Sequence, residues 1–147
     1  MRTYIFKTQL FLDRKISRDI EIRESANLYT LAKAIISAYG FRLDHCFGFF
    51  STVSESRYFD SERKYELFTD LIEEGEDLEP TDAESVKKTN IRAVWKSVHD
   101  TMLFLFDYGD EWLFVVKLIA FGTTEPKTAY PRVVRKIGAA PGQYADM

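Results

Sequence analysis

The sequence predicts an α+β fold: a mostly antiparallel sheet built from two hairpins and an intervening strand, packed by a helix over residues 28–39 with two further short helices. Three observations carry this reading. Near the start, two stretches alternate apolar and polar residues with period two. A stripe with helical spacing follows. Later come two nearly continuous apolar runs, separated by a short polar segment containing Gly109.

Taken in order, Tyr4, Phe6, Thr8, Leu10 and Leu12 share one side of the first stretch. Asp13-Arg14 is the expected turn, and Ile16, Ile20 and Ile22 share a face of the second, with Ser17, Asp19 and Glu21 opposite. Leu28, Leu31, Ala32, Ile35, Ala38 and Tyr39 form the helical stripe. Asn27 is placed to accept from a free amide of its first turn, and Gly40 stands where a left-handed residue closes a helix. Residues 46–52 are rich in aromatics and read as the third strand, in which Gly48 marks a bulge or a close backbone approach. Tyr65, Phe68, Leu71 and Ile72 predict a second helix over 61–74, ended by Gly75. The acidic segment 76–85, with Pro80, reads as an exposed loop. Ile91, Val94, Trp95 and Val98 predict a short third helix, capped by Thr89 or Asn90 and closed by His99 at its negative end. The runs 102–106 and 112–121 form the second hairpin, with Gly109 expected to supply the difficult backbone angle. Their apolarity on both faces implies cover on both faces. From about residue 122 the apolar runs give way to Pro126, Pro131, Pro141 and Gly142, so the tail is expected to be irregular.

A chain of 147 residues buries about 70% of its unfolded surface on folding, enough for a core without metal or disulfide. Residues 1–147 therefore read as a single domain, its core built on 12 Phe and 8 Tyr. The lone Cys46 sits among Phe47, Phe49 and Phe50, as an inert buried thiol would. It suits a reducing compartment, and a cytoplasmic location is expected. No apolar run approaches a membrane span, and residues 1–7 lack the apolar core of a signal peptide. Charge is uneven. Residues 60–84 carry eleven acids and two bases, net −9, leaving +6 on the rest of a chain whose total is −3.

Three stretches together resemble the plasmid pRi ORF-three-like family of uncharacterised proteins. They are Ile16-Ser17-Arg18-Asp19-Ile20-Glu21-Ile22, the helix running to Gly40-Phe41 followed by His45, and Asp107-Tyr108-Gly109-Asp110-Glu111-Trp112. The last is the most specific. Ser17 stands where the family usually has Trp, and Ala32 and Phe114 stand where many members have His. The resemblance implies an α+β fold and no established activity. It adds an association of some members with resolvase-like labels.

Arg18 is the most informative single residue, because alternation turns it inward with Ile20 and Ile22. A buried guanidinium stripped of its partner costs about 3–5 kcal/mol. An ion pair with Asp107 or Asp110 is therefore expected, tying the two hairpins together; the other reading lets Arg18 grip a ligand carboxylate or phosphate. His45, Glu111 and Trp112 form a second polar candidate. Oxygen ligands from Asp107, Asp110 and Glu111 with His45 offer a weak cation site, but the loop lacks the spaced acids of a calcium loop, so no metal is assigned. No catalytic residues and no cofactor are assigned either, since no nucleophile elbow, phosphate loop or zinc motif is present.

The function read from these residues is a non-enzymatic protein-binding or adaptor domain. Its expected partner surface is the acidic stretch 60–84 or the basic tail 127–136. An accessory role in DNA transactions of mobile elements and a small metal-dependent hydrolase are the alternatives. A pI near 5.5 disfavours nucleic acid as the partner, despite basic clusters at Lys87, Lys88, Arg92 and Lys96 and at Lys127, Arg132, Arg135 and Lys136.

Overall fold

Both N-terminal alternations form strands in the computed structural model, which describes residues 1–144. β1 (Arg2–Leu10) and β2 (Ser17–Arg23) pair antiparallel from Thr3↔Arg23 to Gln9↔Ser17. Their connection is wider than a two-residue turn: the Leu10 amide donates to Ile16 O at 3.2 Å and the Ile16 amide to Asp13 O at 3.1 Å. α1 (Leu28–Ala38) starts where Asn27 Oδ1 accepts from the Thr30 amide at 2.8 Å. Gly40, at φ +73°, turns the chain out of it.

Aromatic packing places the third strand, β3 (Phe47–Phe50), beside β4 (Lys64–Glu66). Gly48 is a close approach: a Cβ there would stand 3.0 Å from Glu66 Cγ, from Phe50 Cε2 and from the Tyr108 hydroxyl. The helix expected over 61–74 is shorter. Residues 64–66 are strand, and α2 spans only Leu67–Glu73. Tyr65 occupies both patterns, and pairing with Phe49 across the sheet takes precedence over helical spacing. α3 (Ile91–Val94) is a single turn, and its expected side-chain cap is missing because Asn90 makes no capping hydrogen bond. His99 does not close it; lying past the helix at φ +84°, it donates its amide to Leu118 O at 2.7 Å.

β5 (Thr101–Phe106) and β6 (Trp112–Thr123) form the second hairpin. The positive φ angles of its turn fall on Asp107 (+66°) and Glu111 (+52°), not on Gly109. Asp tolerates this region because its side chain can bond the local backbone. Beyond residue 122 the chain is not wholly irregular. β7 (Arg132–Ile137) pairs antiparallel with β2. Its side chains are almost all exposed, so it carries no period-two apolar signal.

The strand order in the seven-stranded antiparallel sheet is β4-β3-β5-β6-β1-β2-β7. Together with three helices this is an α+β fold. One face is covered by α1 and the 84–98 segment. Leu28, Leu31, Ala32, Ile35 and Ile36 are buried there, and Trp95 meets Phe6 edge-on at 4.7 Å and Phe49 at 6.0 Å. Its Nε1 donates to Val116 O at 3.2 Å, so the ring is anchored at both its apolar body and its polar tip. On the other face, Phe50, Leu103, Leu105 and Leu113 pack against Tyr58 and Val53 from the segment after β3. β5 is thereby covered on both sides, as its apolar run implied. No helix among the described residues is long and apolar enough to cross a membrane.

Trp95→Ala empties the largest side-chain site of the core and removes a satisfied donor. It is expected to cost about 3–5 kcal/mol of stability, read from the urea midpoint.

Candidate functional site

Inward orientation of Arg18 holds: it is 1% exposed. Its partners are not the expected ones. Among the described residues it forms no ion pair with Asp107 or Asp110. Nε donates to Ala38 O at 3.0 Å, and Nη1 donates to Ser17 O at 2.7 Å and Ile137 O at 3.0 Å. The Tyr39 ring lies 5.0 Å beneath the guanidinium. Ala38 ends α1, where carbonyls lack intrahelical donors and carry the negative end of the helix dipole. That partial charge and the ring face replace the carboxylate. One side chain thus ties β2, the end of α1 and the end of β7 together. Tyr39 completes the joint, its hydroxyl bonded to Thr8 O at 3.1 Å and close to Thr8 Oγ1 at 3.0 Å.

Asp107 is 7% exposed and shapes the β5–β6 turn. Its Oδ1 accepts the amides of Gly109 (3.1 Å) and Asp110 (3.3 Å), and its own amide donates to Cys46 O at 2.9 Å. Asp110 and Glu111 are exposed. Tyr108 turns inward and donates to Glu66 Oε2 at 2.5 Å. Trp112 packs edge-on against Phe41 at 4.8 Å, and its Nε1 is buried without a partner among the described residues. The motif therefore fastens a turn to its neighbours.

His45 lies beside this turn. Its Nε2 is 3.5 Å from Asp107 Oδ2, 3.6 Å from Asp44 Oδ1 and 2.9 Å from the Tyr144 hydroxyl. Tyr144 donates to Asp44 Oδ2 at 2.7 Å, which leaves its oxygen to accept from His45. Gln143 bonds Arg42 from both ends, its Oε1 accepting from the amide at 2.8 Å and its Nε2 donating to the carbonyl at 3.1 Å. This group straps residues 143–144 onto the 42–45 loop. Among the described residues no three His, Cys, Asp or Glu side chains converge as metal ligands. Burial, with Glu66 nearby, pushes the Cys46 thiol up, away from nucleophilic use.

The predicted residues thus divide into an Arg18 joint and a fastened turn. At the turn, Glu111 and Trp112 line a small, mostly apolar hollow of about 240 Å³ with Leu10, Ile16 and Pro141. The sheet edge nearest Arg18 opens wider. A groove of about 540 Å³ runs between α1 and β7, floored by Ile20 and Ala34 and flanked by Lys33, Arg132, Val133 and Lys136. Arg132 is held by Glu21 Oε1 at 2.8 and 3.0 Å. Lys33 and Lys136 have no acid partner among the described ion pairs. Lys136 belongs to the basic tail read from the sequence. Lys33 gave no signal there, being one exposed cation on a helix. The acidic stretch is partly consumed by the fold: Asp70 is buried and accepts the Val86 amide at 2.9 Å, Glu66 takes Tyr108, and Asp82, Glu74 and Glu73 pair with Lys64, Lys87 and Lys88.

Arg18→Met leaves the Ala38 and Ile137 carbonyls without their donor. It is expected to cost about 2–4 kcal/mol in denaturant unfolding, and Arg18→Lys to recover only part of this. A second prediction concerns alkali. Burial and the Glu66 carboxylate raise the Tyr108 phenol, and burial with Glu111 beside it pushes Tyr58 up to about 12. A phenol whose folded pKa is raised stabilises fully below the unfolded value near 10 and loses that contribution as pH climbs above it. Stability is expected to fall from about pH 10 upward, and tyrosinate absorbance to lag that of the unfolded chain, with less lag in Tyr108→Phe.

A profile for the family described as plasmid pRiA4b ORF-3-like protein matches residues 2–144. The search of curated proteins found no match. The crystal structure of a protein of unknown function from Methanosarcina mazei Go1 is similar, with a TM-score of 0.72 at 20% identity, covering 95% of this chain and 71% of that one. That likeness is one of fold. On the strength of the profile match across nearly its whole length, the chain belongs to the plasmid pRiA4b ORF-3-like family.

Proposed function

We propose that this chain is a protein-binding module that takes an extended, acidic segment of a partner as an added strand on β7. The observation that carries it is the outer edge of β7, unpaired among the described residues, beside the α1–β7 groove. An edge strand offers a row of backbone donors and acceptors, and a neighbouring groove reads alternate side chains of the added strand. Val133, Val134 and Ile137 are 46%, 44% and 40% exposed along this strand, apolar surface that an incoming strand would cover. The unpaired Lys33 and Lys136 favour a partner whose groove-facing residues are Asp or Glu. A second copy fits poorly, because pairing β7 with β7 gathers Arg135 and Lys136 of both chains into one ribbon with no added acid.

The test uses an acetylated peptide alternating Glu and Val, titrated into the isotope-labelled protein. Amide shifts are expected to concentrate on β7 and α1, with affinity falling as salt rises. Lys33→Glu with Lys136→Glu, both on exposed positions, is expected to weaken binding at least about tenfold while leaving the melting temperature unchanged. Shifts spread elsewhere, or binding indifferent to the double variant, would overturn the reading.

A further inference from the structure

A second concavity lies on the same side of the sheet but away from β7. It holds about 820 Å³, and its wall joins the first residues of the chain to the segment 84–96. Arg2 comes from the start of β1, and Lys88, Arg92 and Lys96 come from the segment around α3. Tyr4 and Tyr65 line its base, 2% and 5% exposed, so their rings are fixed by the core while their remaining exposure opens onto the cleft. Glu84 is the acid among its lining residues.

Four cations and one acid line this concavity, in a chain whose net charge is −3. Two of the four are held in place from outside. Arg2 Nε is 2.9 Å from Glu24 Oε2, with its guanidinium carbon 4.4 Å from the Phe121 ring centre, and Lys88 Nζ is 2.7 Å from Glu73 Oε2. Arg92 and Lys96 are exposed and form no ion pair among the described residues. A concave set of Arg and Lys is the chemistry that takes phosphate groups: guanidinium forks for paired oxygens and ammonium as point charge.

We propose that this cleft binds a compact polyphosphate ligand, of the size and charge of a nucleoside triphosphate. The volume lies within the range of small-molecule sites. The proposal is independent of strand addition at β7, because none of the cleft's cations lines the groove.

Isothermal titration of the full chain with inorganic triphosphate, with ATP and with a single-stranded oligothymidylate tests it. Triphosphate and ATP are expected to bind and to compete for one site, with affinity falling steeply as salt rises. Arg92→Glu with Lys96→Glu is expected to weaken both by at least about tenfold with an unchanged melting temperature. Lys33→Glu with Lys136→Glu is expected to leave them unaffected. No heat from either polyphosphate at low salt, affinity unchanged in Arg92→Glu with Lys96→Glu, or binding by the oligonucleotide alone would each overturn the proposal.

Discussion

The contact between the Arg18 guanidinium and the last carbonyl of α1 holds the arrangement of this end of the molecule. α1 could rest on the sheet by its apolar stripe alone, but burial is non-directional and would not set where the helix stops relative to the edge strand. Hydrogen bonds to Ala38 O and Ile137 O set that relation, because one planar group must satisfy both at once. The groove between α1 and β7 inherits its width from this joint. Tyr39 lies under the same guanidinium with its hydroxyl on β1, so three consecutive strands and a helix meet at one side chain.

Charge is managed differently in the two halves of the chain. Much of the acidity between residues 60 and 84 is folded inward or paired locally. Asp70 organises the segment leading to Val86, Glu66 receives the Tyr108 phenol, and the acids at the end of α2 reach Lys87 and Lys88. The remaining cations stay outward, on β7 and around α3. A protein with a negative total can thus present positive concavities, and composition alone hides them.

Most of the fold was legible because alternation and helical spacing report burial directly. Ile20 and Ile22 and the Leu28–Tyr39 stripe lie where their periods place them, and the continuous apolar runs of β3 and β5 are buried throughout but for Thr101. The failures share a cause. β4 is three residues long, too short to show a period, and Tyr65 fits a helical stripe equally well. β7 is exposed on both sides, so nothing in its pattern distinguishes it from loop. The turn at Asp107 misled because Gly is the usual residue at positive φ, while here the side chain of Asp107 stabilises its own strained backbone. Arg18 was recognisable as buried, but its partners were not, since carbonyls at the end of a helix belong to no residue type. The groove was invisible for a related reason: it joins Lys33 to Lys136, far apart in the chain. Of the cleft, the cluster Lys88, Arg92 and Lys96 was legible, while the place of Arg2 beside it comes from the fold.

The two margins of the sheet are unequal. Along β4 the residue Glu84 runs parallel, its amide donating to Lys64 O at 2.8 Å and its carbonyl accepting from the Glu66 amide at 3.0 Å. That margin is already occupied from within the chain, whereas β7 has none on its far side among the described residues. A molecule of this kind can be extended at one end and has a stopper at the other. With backbone groups on offer at one margin alone, the sheet lacks the pair of open edges that runaway stacking requires.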